Sequence, residues 1–190
     1  NRTYGGTDGT VGAVVPATGD GYTLVGSQAA REYLFRVDAE GRLVERDRFT
    51  DADVGVVDAT ATADGGVVVA GQLLPRADGT ARAVVVRVAP DGEVVWNRTF
   101  AGATVASGVV RTADGYAVSL ADTTDAPDYD GALVRVAPDG DERSRRTFSD
   151  VAVARVAPVE SGGLLLAGFV GGAERLSEAN RDPWAARLTP

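Results

Sequence analysis

The clearest pattern along the chain lies between positions 83 and 100. Val84-Val-Val-Arg-Val88 is dominated by β-branched residues, which pack well on a pleated surface and lose rotamer freedom in a helix. Asp91-Gly92 follows, a pair suited to a tight reversal because glycine takes positive φ without strain. The run from Val94 to Phe100 then returns, so the stretch predicts a β-hairpin. The same pattern recurs at residues 34–41 leading to Phe49, and at residues 133–140 leading to Phe148; it begins once more at residues 185–188.

The recurrence has a period. Tyr4, Phe49, Phe100 and Phe148 each close an Arg-Thr-aromatic or similar triplet, and they are spaced by 45, 51 and 48 residues. Inside each copy a short apolar strand (residues 11–15, 54–57, 109–110, 151–156) precedes a Gly-containing turn. A second strand follows (22–25, 67–70, 116–120, 164–167), then a polar loop of variable length, then the apolar-Arg-apolar strand and its return. No segment has helical periodicity; the nearest approach, residues 173–179, sits inside a variable loop. The expectation is one all-β domain over residues 1–190, with repeats at approximately 1–45, 46–96, 97–144 and 145–190.

Four short strands per repeat of this length is the pattern of a β-propeller blade, here four blades. A two-sheet sandwich is the competing arrangement, though sandwiches rarely repeat so regularly. A slice of a longer array is the other. Residues 1–4 are in phase with a fourth strand and residues 184–188 with a third. A closed ring is therefore expected to pair the two, which would cover a sheet edge.

Composition changes the picture in one respect. The net charge is -8, all 19 basic residues are Arg, and Lys, Ile, Met, Cys and His are absent. The acidic balance excludes phosphate-driven binding to nucleic acid. The absence of Cys leaves no disulfide framework or thiolate chemistry. No apolar run approaches the ~18 residues of a membrane-spanning helix. The Arg-, Ala-, Val- and Asp-rich texture is similar to that of proteins from salt-loving archaea.

Asp64-Gly-Gly-Val-Val-Val-Ala-Gly71 and Val86-Arg-Val-Ala-Pro-Asp-Gly-Glu-Val-Val-Trp96 resemble the blade repeats of extracytoplasmic propeller proteins of the quinone-binding type and its relatives. The resemblance covers all four copies. It implies a propeller fold, an extracellular or cell-surface location, and a scaffold or binding role. Trp96 is matched by Glu45 and Ser144 in other copies, so the resemblance does not extend to a quinone cofactor.

Candidate chemistry is sparse. With no His or Cys, the usual general base and thiol nucleophile are missing, and no catalytic residue is assigned. Asp125, Asp128 and Asp130 place three carboxylates in one loop, a partial Ca²⁺ ligand set; no other cofactor is expected. Asn1 and Asn97 lie in Asn-Arg-Thr glycosylation sequons. Arg36, Arg87, Arg135 and Arg187 occupy one repeat position. They form either an anion-facing ring or the wet face of alternating strands, each paired to a nearby carboxylate. Asp58 and Arg155 fall at equivalent places on first strands expected to line the channel. The functional expectation is a non-enzymatic surface scaffold that binds a protein or glycan and has no direct membrane insertion. A self-associating filament or surface-layer subunit and a carboxylate-based glycan-active enzyme are the alternatives.

An acidic surface without lysine predicts salt-dependent stability. The Debye length shrinks from ~30 Å at 0.01 M to ~3 Å at 1 M, so carboxylate repulsion is screened as salt rises. Melting temperature should climb across that range in thermal scans, and a flat profile would remove the salt-adaptation reading.

Overall fold

The computed structural model of the protein describes residues 4, 9–17, 19–28, 31–50, 54–74, 79, 81–123, 129–160, 162–170 and 182–189. Every regular element among them is a strand, and neighbouring strands are antiparallel throughout. The first sheet has the order β1 (Gly9–Pro16), β2 (Tyr22–Gln28), β3 (Arg31–Val37), β4 (Leu43–Thr50). The second has β5 (Val54–Ala61), β6 (Val67–Leu73), β7 (Arg82–Val88), β8 (Val94–Phe100). The third has β9 (Val105–Thr112), β10 (Gly115–Asp122), β11 (Asp130–Val136), β12 (Glu142–Phe148). The fourth has three strands, β13 (Val151–Pro158), β14 (Leu164–Val170) and β15 (Asp182–Leu188), with β15 at its edge. The expected helix-like segment at 173–179 lies outside the described residues.

The all-β architecture and the groups of four strands follow the sequence pattern. The sheets run over 9–50, 54–100, 105–148 and 151–188, so the sequence repeat, cut at 45/46, 96/97 and 144/145, is out of phase with the sheets by part of β4, β8 and β12. The reason is hydrogen bonding: each fourth strand pairs backward with the third strand of its own sheet, as Phe100 does with Ala83 and Phe148 with Gly131.

The sheets stack in series through alternating side chains. On β6 and β7, Val67, Val69, Val84, Val86 and Val88 pack towards the first sheet. Their neighbours Val68, Ala70, Ala83 and Val85 pack towards the third. Successive side chains leave a strand on opposite faces, so one strand feeds two cores. This is why the second and third strands read as unbroken apolar runs: they are buried on both sides. It also corrects the expectation of one wet face on the third strands, because β7 and β11 are buried on both faces over four consecutive residues. Aromatic pairs cross the later seams. Trp96 meets Tyr116 edge-on at 6.3 Å, and Phe148 meets Trp184 at 5.3 Å.

The first strands stand side by side, β1 against β5, β5 against β9, and β9 against β13. Each carries a β-bulge at the same level, at Gly12, Val57, Ser107 and Ala154. No comparably extensive contact joins β13 to β1 among the described residues. Of the segment expected to pair with β15, residues 1–3 lie outside the described residues. Tyr4 donates its hydroxyl to the Gly41 carbonyl in the β3–β4 turn of the first sheet.

The interleaved seams predict unequal costs for two leucines. Leu120 on β10 is fully buried between the second and third sheets, whereas Leu165 on β14 is 43% exposed on the outer face of the fourth. Leu120→Ala should cost about 2–5 kcal/mol and lower the melting temperature by roughly 5–15 °C. Leu165→Ala should stay within about 0.5 kcal/mol of the wild type. Equal effects in thermal unfolding would refute the two-sided burial.

Candidate functional site

The four repeated arginines occupy matching registers on the third strands. Arg36 lies opposite Glu45, Arg87 opposite Trp96, Arg135 opposite Ser144, and Arg187 opposite Leu165 on the inner side. Each shares a face with the residues that point to the next sheet, as Arg87 does with Ala83 and Val85. Arg187 therefore stands on the outer face of the fourth sheet, beside the exposed Leu165.

At the first two seams this arginine fastens adjacent sheets at their turn end. Arg36 donates to Glu45 at 2.7 Å, to Asp47, and to the Pro90 carbonyl in the β7–β8 turn of the second sheet. Arg87 donates to Asp64 at 2.8 Å and to the Pro138 carbonyl in the β11–β12 turn of the third sheet at 3.3 Å. Trp96 adds its indole N–H to the same Pro138 oxygen at 2.9 Å. The turn glycines let this approach happen. Gly92 and Gly140 have positive φ, and a Cβ on either would come within 2.8 Å of Asp47 or Trp96. So a Pro-Asp-Gly turn from each following sheet sits in a socket formed by the arginine and the fourth strand of the sheet before it.

The third seam keeps the arginine and loses the rest. Arg135 has no hydrogen-bond or ion-pair partner among the described residues. Ser144 stands where Trp96 fills the second seam, and Arg146 stands where Asp47 supplies a carboxylate to the first. A cleft of about 960 Å³ at this seam is walled by Arg111, Arg135, Arg143, Asp114, Tyr116 and the β13–β14 turn. A smaller cavity of about 250 Å³ lies beside Arg87 and Pro138 and shares Arg111 and Tyr116 with it. Arg111 and Arg143 also lack polar partners among the described residues. Three guanidinium groups thus face one carboxylate in a protein of net charge -8. Burial against these neighbours pushes the Tyr116 hydroxyl pKa up.

The sequence pattern singled out Arg135 but not Arg111 or Arg143. Arg143 is the bulged residue of β12, at the place held by the exposed Val44 and Val95 in the first two sheets. Arg111 is the register equivalent of Pro16, Ala61 and Pro158. Both are departures from the repeat, which is the signal that would have found them.

The other candidates separate. Asp58 accepts from the Val109 amide at 3.0 Å and from the Ala59 amide at 2.9 Å. Arg155 donates to the Ser107 carbonyl at 2.8 Å. They hold β9 from opposite sides through its backbone and share no ion pair among the described residues. Asp125 and Asp128 lie outside the described residues. Asp130 opens β11, and its carboxylate accepts the Asp150 amide at 3.3 Å. Asn1 also lies outside them, whereas Asn97 is exposed on β8 with Thr99 exposed beyond it.

Asp64 makes the socket sensitive to pH. The Thr62 hydroxyl first, then the backbone amide of Asp64 itself and the Arg87 guanidinium, hold its carboxyl below the usual value of 3.8. A carboxyl depressed in the folded state stabilises fully above its unfolded value and loses that contribution as pH falls through its folded one. Asp64→Asn should therefore lower stability at pH 7 by about 0–1 kcal/mol, since the group is half exposed. The gap from wild type should close as melts are taken below pH 3.8. A gap independent of pH would show that the carboxylate charge is not what matters.

No protein-family model matches the chain, and no curated protein matches it.

Proposed function

We propose that the chain is a non-enzymatic, propeller-type scaffold of the cell surface or extracellular space that binds a protein or glycan partner. The observation that carries this reading is the apolar rim at the start of two successive outer strands, where Leu43 and Val44 on β4 and Val94 and Val95 on β8 are exposed. Exposed apolar side chains repeated at one level of a rigid stack offer a partner surface to bury. The carboxylates that could serve catalysis are engaged in holding strands and turns, as Asp58, Asp64 and Asp47 are. The exposed Asn97 sequon and the acidic composition support the surface location.

Surface labelling of intact cells should tag the protein, and the double variant Val44→Asp/Val95→Asp should keep the wild-type melting temperature while losing the partner recovered by cross-linking at the cell surface. An unlabelled protein, or a recovery that the double variant leaves unchanged, sinks the reading.

A further inference from the structure

We infer that Asn97 carries an N-linked glycan, and that this glycan keeps the outer edge of β8 from pairing with the edge of another molecule. The inference rests on the cell-surface reading above, because N-glycosylation belongs to proteins that leave the cytoplasm.

The acceptor is complete and open. Asn97-Arg98-Thr99 is an asparagine with a hydroxyl two residues on. Trp96 and Phe100 are buried in the core shared with the third sheet, so Asn97 and Thr99, which alternate with them, leave the strand on the opposite face. Both are exposed. Arg98 turns the other way and donates to Asp141 of the third sheet at 3.2 Å. It also reaches the Asn97 backbone carbonyl at 3.0 Å, while the Asn97 side-chain amide has no hydrogen-bond partner among the described residues. The modification is a group transfer. The Asn97 side-chain nitrogen bonds the anomeric carbon of a saccharide supplied as a lipid phosphate ester. The bond from that carbon to the phosphate oxygen breaks, the lipid phosphate leaves with the electron pair, and the amide gives up one proton to solvent.

The edge that β8 presents is an independent observation. β4, β8 and β12 are each the outermost strand of their sheet. An outermost strand leaves backbone N–H and C=O groups unpaired, and charged side chains guard it against edge-to-edge association. β4 carries Glu45, Arg46, Asp47 and Arg48, and β12 carries Glu142, Arg143, Arg145 and Arg146. β8 reads Val94-Val-Trp-Asn-Arg-Thr-Phe100, with Arg98 as its one charge. It is rich in β-branched and aromatic residues and free of proline and glycine, the composition of a strand that pairs with copies of itself. Asn97 lies opposite Val86; the same place is held by Arg46 opposite Phe35 on β4, and by Arg145 opposite Val134 on β12. The sequon therefore stands where the other two edges carry a cation. A bulky, solubilising glycan there blocks the approach that charge blocks elsewhere.

Mass spectrometry and sedimentation test the two halves. The protein is purified from the cells that make it and cleaved after arginine. The peptide of residues 88–98 should be heavier than its sequence by whole monosaccharide units. Thr99→Ala should return that peptide to its unmodified mass, and Thr99→Ser, which keeps the hydroxyl, should leave it glycosylated. In sedimentation at matched concentration, Thr99→Ala and Asn97→Gln should shift the protein from single chains to larger species. Asn97→Arg, which lacks the glycan but restores the cation of the other edges, should shift it back, which separates edge pairing from misfolding. An unmodified peptide in protein that surface labelling tags overturns the glycan while the surface reading stands; an unmodified peptide in untagged protein overturns both. A glycosylated peptide whose loss leaves sedimentation unchanged, or an Asn97→Arg variant that associates as Asn97→Gln does, overturns the guarding role.

Discussion

Everything in this fold depends on sheets that are apolar on both faces. A half-buried sheet can show one face to water, but β6, β7, β10 and β11 cannot, because consecutive residues on each are buried. Such a sheet must have a neighbour on either side, and that requirement produces the stack. It also fixes register. A slip of one residue on β7 would send Val84, Val86 and Val88 towards the third sheet and bring Arg87 into the core shared with the first. The arginine's cost in that apolar setting makes the correct register the only one with a place for it.

The turn end of each seam solves a second problem. A guanidinium near the core needs acceptors for its donors, and a turn needs something to hold it against the preceding sheet. The Arg36–Pro90 and Arg87–Pro138 contacts satisfy both at once. Because the acceptor belongs to the next sheet, the contact forms only when two sheets are docked. Local hairpin formation can precede it; sheet docking completes it. The first strands add the complementary fastening at the inner side, where Asp58 and Arg155 reach the backbone of β9 and Ser107 donates to the Val153 carbonyl at 2.6 Å.

Much of this was legible in the sequence, and the limits have physical causes. The hairpin at residues 83–100 was readable because β-branched runs and an Asp-Gly pair are local signals. The Arg column was readable as a repeat position, but not its partners: Pro90 and Pro138 lie more than 50 residues from Arg36 and Arg87 and belong to other sheets. The pairing of Arg36 and Arg87 with carboxylates was part of the expectation, yet the alternation of wet and dry faces behind it was not, since period-2 alternation looks the same whether the second face meets water or another sheet. The cleft was half visible. Ser144 in place of Trp96 was plain from aligning the copies, but the walls around it were not. Arg111 approaches the same space from β9, a different strand, and only the folded seam brings it there.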